Sequence, residues 1–284
     1  MNSDFHILWN HDILQITKRK TGICYDKKNY FERDIMIREL LVKQLKTYED
    51  EFKDFMDIKE FPTYQLCTKE VSTITADFKG FEAVASTSFQ PQNNSHTLSV
   101  STNIALSKYY IFHEFTHMLD SEMNVKGDKI RYAGLSGFTE YHASQVELME
   151  LLGANTVDEV LSFSMGTIIT TIAGEKSVYQ YVNEKHRHAI ELFSRGNFPA
   201  DLDTLKSAMG VLYNYFGLRS ICEEYSVDYT EKIDNKVFLK FIPTQLFVTL
   251  NRLMHGWLNE GEIELSINIY LNIIFPLINE FKLA

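Results

Sequence analysis

The stretch "YYIFHEFTHMLD" (109–120) holds two histidines four residues apart, with a glutamate directly after the first: His113-Glu114-Phe115-Thr116-His117. On an α-helix, positions i and i+4 lie on one face, so both imidazoles can point at a single metal ion. Glu114 leaves the helix about 100° away from His113. It is then no ligand, yet it can reach a water held by the metal. Two neutral nitrogen ligands and a carboxylate base are what metal-assisted hydrolysis needs.

A catalytic zinc takes a third protein ligand and keeps one position open. Asp120 shares the ligand face, but at 1.5 Å rise per residue it lies about 10 Å from His113 along the helix. A partner behind the His117 ring is the role expected of it, since metal-bound histidines donate their other N–H to such a group. The stretch "FTEYHASQVELMELL" (138–152) offers Glu140 and, two turns on, Glu147. Only one of these can reach the same metal. Ala143 and Ser144 are small enough to let this helix approach the first closely. Glu140, nearer the connection between the two helices, is the expected ligand, with Asp120 and Glu147 as the alternatives. Tyr132 and His255 are candidates to donate to an oxyanion, and Tyr141 and His142 flank Glu140. The stretch "EKHRH" (184–188) reads as a solvated helix face.

These residues need elements to place them. Residues 31–57 carry Ile35, Ile37, Leu40, Leu41, Leu45, Phe52 and Phe55 at helical spacing, and Pro62 ends that region. From 63 to about 103 the texture becomes Thr-, Val-, Ser- and aromatic-rich with partial alternation, which predicts three or four strands, the last two separated by "QPQNNS" (90–95). Ser107 can cap a helix over about 108–121. A loop follows, then a helix over 138–152 ended by Gly153. Beyond 154 the reading is helical throughout: about 156–173, 175–194, 201–224, 237–258 and 261–282. The expected fold class is therefore α+β: an N-terminal helix, a small mostly antiparallel sheet and two site-bearing helices, then an all-α C-terminal part. The division falls at 1–154 and 155–284, with the second unit forming one wall of the cleft.

The net charge of −10 argues against a nucleic-acid binder and against adhesion to anionic membrane. Cys24, Cys67 and Cys222 are far apart and odd in number, so neither a disulfide framework nor a thiolate zinc site is expected. The opening "MNSDFHILWNHDIL" lacks the basic-then-apolar order of a secretion signal. The most apolar runs, "LSFSMGTIITTIAG" and "INIYLNIIFPLI", read as too short to span a bilayer. A cytoplasmic protein is expected.

"HEFTH", a connection, and a helix beginning "EYHAS" resemble the zincin metallopeptidases, and more closely their gluzincin type. There a downstream helical glutamate is the third zinc ligand. The layout is also similar to the ImmA/IrrE group of intracellular metallopeptidases. The resemblance covers about residues 60–153 and is carried by "NIALSKYYIFHEFTHMLD" and "EYHASQVELMELL". It implies a zincin-like core, zinc (Zn2+) on His113, His117 and Glu140, Glu114 as catalytic base, and a protein or peptide substrate. It further implies a selective regulatory protease, with the substrate paired to a sheet edge near "FEAVASTSF" or "HTLSVS". Two other readings compete. One is a metal-containing binding module on the same scaffold without proteolytic activity. The other is a helical protein carrying the motif by chance.

Overall fold

The computed structural model describes residues 27–69, 84–125, 127–231 and 235–281. The N-terminal stretch read for a secretion signal, Cys24, and the continuation of the first expected strand past Lys69 lie outside the described residues. The fold is mixed α+β, as the patterning predicts, with a three-stranded sheet and a separate two-stranded one among the described residues.

Helix α1 (Lys27–Phe55) buries Leu41, Leu45, Tyr48, Phe52 and Phe55, a stripe at three- and four-residue spacing. Strands β1 (Tyr64–Lys69), β2 (Ala85–Gln90) and β3 (Ser95–Ser101) form a sheet in the order β1–β3–β2. In β3, His96, Leu98 and Val100 are buried while Ser95, Thr97 and Ser99 are partly exposed, the period of two expected of a strand. The sheet is not mostly antiparallel. β2 and β3 form an antiparallel hairpin, whereas β1 runs parallel to β3. Among the described residues β2 is an edge strand.

Helix α2 (Lys108–Asn124) carries the histidine pair. Phe112 and Phe115 pack on Phe52 of α1, with ring centroids 5.1 and 5.5 Å apart. Ser107 sits at the N-cap position, but its hydroxyl makes no capping bond. Helix α3 (Lys129–Leu151) starts well before the expected 138. Asp128 caps it by accepting from the Ile130 and Arg131 backbone N–H groups. The glycines that suggested a loop are close-approach positions instead. A Cβ at Gly134 would lie 2.6 Å from Ile267, and one at Gly137 would lie 2.6 Å from Tyr213.

The C-terminal part is not all helical. A hairpin of β4 (Ile168–Thr171) and β5 (Gly174–Ser177) stands where helix was expected, and residues 152–167 are irregular. The run Ile168-Ile169-Thr170-Thr171 is β-branched, which favours strand, and Gly174 takes φ +102° at the turn. Helices α4 (Val178–Phe193), α5 (Leu202–Tyr225), α6 (Thr244–Leu253) and α7 (Glu260–Phe281) follow, with a 3₁₀ turn at Phe238–Lys240. α3 packs on α2, α5 and α7. At Gly217 of α5 an added Cβ would sit 2.1 Å from the Tyr141 carbonyl oxygen, so backbone meets backbone there. One hydrophobic cluster runs from Leu41 to Leu277.

α7 corrects the expectation about apolar runs. Its window Glu260–Ile278 is long and apolar enough, by length and composition, to cross a membrane. Through Ile267, Leu271 and Tyr270 it packs onto Gly134 and Gly137 of α3, the contacts of a core helix.

Candidate metal centre

α2 has two working faces. Phe112 and Phe115 turn to the core. His113 and His117 turn to a cavity of about 770 Å³ that Glu114 and Glu140 also line. Glu140 Oε2 lies 3.7 Å from His113 Nε2 and 3.8 Å from His117 Nε2. One donor atom from each of the three residues lies within 4.8 Å of the others, so His113, His117 and Glu140 form a group able to hold a metal ion. Tetrahedral coordination with bonds of about 2.0–2.1 Å places donor atoms roughly 3.3–3.5 Å apart, a few tenths of an ångström less than the two Glu140–histidine separations. The residues therefore fit a metal of zinc's size and ligand preference.

The far side of each ligand is also held. His117 Nδ1 is 2.8 Å from the Thr139 hydroxyl. His113 Nδ1 is 2.7 Å from Glu147 Oε2, an ion-pair contact rather than a straight hydrogen bond. With both Nδ1 atoms engaged, both Nε2 atoms are left for a metal. Ser144 donates to Asn214 Oδ1 at 2.7 Å, which leaves the Asn214 amide N–H to donate to Glu140. Gly210 makes room for that carboxylate, since a Cβ there would lie 3.3 Å from Glu140 Oε1. Without a metal, charge is shared among these groups. Burial lowers the His113 pKa, but the carboxylates of Glu140 and Glu147 on either side of the ring raise it to about 10. Burial raises that of Glu140, yet the charges of His117 and His113 bring it down to about 2.

Glu114 accepts from the Thr87 hydroxyl at 2.9 Å, which ties it to the edge strand β2. It lines the cavity outside the group of three. Tyr110, one turn earlier on α2, lines the cavity as well. The Ile172 N–H donates to the Tyr109 hydroxyl at 2.9 Å, and Tyr109 in turn hydrogen-bonds Tyr110. Burial pushes the Tyr110 hydroxyl well above its ordinary pKa, so it stays a proton donor.

Several expected site residues sit elsewhere. Asp120 is not behind His117; it pairs with His142 Nδ1 at 2.9 Å. Glu147 is not at the ligand position but behind His113, where it also accepts from the Tyr181 hydroxyl. Tyr132 lies within α3 rather than in a loop; it lines the cavity and hydrogen-bonds the Phe89 backbone. Tyr141 donates to the Gly256 carbonyl oxygen. His255 pairs with Glu223 at 2.6 Å and does not line the cavity. Lys185 and His188 of "EKHRH" line the cavity and are not a plain solvated face.

Thr87, Thr139 and Asn214 escaped the sequence reading. Thr139 directly precedes Glu140 on α3, a position from which a hydroxyl can meet the His117 ring. Thr87 and Asn214 come from a strand and a helix whose placement no spacing rule supplies. Comparison of the chain with protein-family models, with curated proteins and with solved structures returns no match.

Proposed function

We propose that the chain is a zinc-dependent metallopeptidase with a zincin-like core, hydrolysing a peptide bond in a protein substrate. The observation that carries this reading is the convergence of His113, His117 and Glu140 beside Glu114 in one cavity. Three protein ligands facing a cavity, rather than four closing round the ion, is the pattern of catalytic rather than structural zinc. A bound zinc would supply polarisation of the scissile carbonyl and acidification of a water.

The chain's own residues do the rest. Glu114 takes a proton from the attacking water and passes it to the leaving amine. Thr87 holds Glu114 in place for this, at 2.9 Å. Tyr110 donates to the oxygen on which negative charge develops. β2 has no second neighbour among the described residues, and Ser86, Thr87 and Ser88 line the cavity, so an extended peptide can add there as a further strand.

The test has two stages. Zinc should be found in the purified protein and should be lost in the His113→Ala/His117→Ala double variant. Cell proteomes expressing wild type and Glu114→Gln should then differ in at least one cleaved protein. Zinc retained by the double variant would remove the metal site. Matching proteomes with zinc present would leave a metal-bearing binding module, the second reading, in which the same cavity binds a partner without cutting it.

A further inference from the structure

We propose that Lys185 anchors a carboxylate of the bound peptide and makes the cavity selective for an acidic group at one substrate position. The proposal rests on the peptidase reading above and narrows its substrate class.

Tyr181, Lys185 and His188 fall on one face of α4, at helical spacing, and all three line the cavity. The stripe begins beside the metal ligands, because Tyr181 bonds Glu147, which backs His113. Lys185 is one turn further on. His188 follows; burial and the Lys185 charge hold its pKa down, so it stays neutral at neutral pH and Lys185 is the fixed cation of the stripe.

Lys185 is not spent within the described chain. Lys176, the other lysine of this wall, is paired with Glu184 at 2.5 Å. Lys185 has no carboxylate among the described residues within ion-pair distance. Glu147, a buried acid lining the same cavity, already contacts His113 and the Tyr181 hydroxyl. In a chain of net charge −10, a partly buried lysine lining a cavity is a specific charge rather than part of a basic background. Its donors suit a compact anion. On a peptide that anion is an Asp or Glu side chain, or a C-terminal carboxylate. A peptide paired to β2 sends successive side chains to opposite sides, so the preference should fall on a single position.

Zinc-loaded Glu114→Gln protein, which should hold peptides uncut, is exposed to two random peptide libraries, one with free and one with amidated C-termini. Retained peptides are sequenced. The same is done with Lys185→Glu and Lys185→Gln in that background, after zinc content has been matched. Acidic residues should be enriched about tenfold at one position, lost with Lys185→Gln and replaced by basic residues with Lys185→Glu. Enrichment in both libraries assigns the side chain as the anion; retention from the free-terminus library alone assigns the terminal carboxylate. If Lys185→Glu does not load zinc, Lys185→Gln decides. Peptides retained with the same charge preference whatever stands at 185, or with none, would overturn the subsite and leave the peptidase reading standing. No retained peptide in the zinc-loaded parent would remove both.

Discussion

His113 Nδ1 and Glu147 Oε2 are 2.7 Å apart, although Glu147 stands two turns beyond the carboxylate that faces His113 Nε2. One helix, α3, thus contacts both nitrogens of the same imidazole, with Glu140 at its front and Glu147 at its back. Glu147 is 1% exposed and Glu140 31%. The exposed carboxylate is placed to bind a metal, and the buried one to fix the ring.

This arrangement orders the expected effects of substitution. Glu140→Ala should remove a ligand and abolish stoichiometric zinc. Glu147→Gln should weaken zinc about 10–100-fold, the usual cost of losing a partner behind a ligand. Asp120→Ala should change zinc affinity least, because Asp120 pairs with His142 instead. Competition against a chelating indicator measures all three. An Asp120→Ala loss exceeding that of Glu147→Gln would reverse the assignment.

Metal and proton compete at His113. In the metal-free protein its pKa is raised to about 10, so at neutral pH zinc must displace a proton. Apparent affinity should therefore rise with pH, by up to about tenfold per unit, until pH approaches about 10. The sign for stability is opposite. A raised folded-state pKa stabilises the metal-free protein fully below the unfolded value of 6.5, and this is lost as pH rises through about 10. Zinc titrations across pH, with proton release recorded in weak buffer, check both. An affinity flat between neutral pH and pH 9 would mean His113 is unprotonated before zinc arrives.

Two glycines on α5 separate fold from site. Gly217 lies where a Cβ would be 2.1 Å from the Tyr141 carbonyl oxygen, and backbone cannot give way cheaply. Gly217→Ala should lower stability by at least about 1–3 kcal/mol, the usual cost of overpacking. Gly210 lies where a Cβ would be 3.3 Å from Glu140 Oε1. Gly210→Ala should leave stability unchanged or raise it by up to about 1 kcal/mol, since alanine is the better helix former. It should nonetheless weaken zinc, because the carboxylate must shift by more than the roughly 0.2 Å that a metal site tolerates. Thermal melting and zinc titration on both variants separate the effects.

The motif residues were legible because a helix converts spacing into direction. His113, His117 and Glu140 come together as the i, i+4 rule and a downstream helix require. What the sequence hid is tertiary. Gly134 and Gly137 read as loop because glycine weakens a helix, yet they are spaces filled by Ile267, Tyr213 and Tyr270 from helices far along the chain. The β4–β5 hairpin was hidden differently. Ile168 to Thr171 carried a β-branched signal, and reading the stretch as an apolar helical run overrode it. Lys185 and His188 looked solvated because their stretch is charged, and only the packing of α4 shows them lining the cavity.

The last prediction concerns Thr87, whose hydrogen bond goes to the base and not to a metal ligand. Its hydroxyl donates to Glu114 Oε2 at 2.9 Å, from the strand β2 along which the substrate should lie. Peptide binding and orientation of the base would thus share one strand. Glu114→Gln should keep zinc and lower hydrolysis at least about 10²-fold, the lower end of what a positioned acid–base group contributes. Thr87→Val keeps the shape and removes the donor. It should lower kcat by about tenfold, the order of one hydrogen bond's worth of about 1.4 kcal/mol, with KM nearly unchanged. Thr87→Ser restores a hydroxyl and should recover most of the rate. A merely structural threonine would give the opposite pattern: valine, the isostere, would be tolerated and serine, the smaller residue, would not. A serine variant no better than the valine variant would show that Thr87 packs against Glu114 without orienting it.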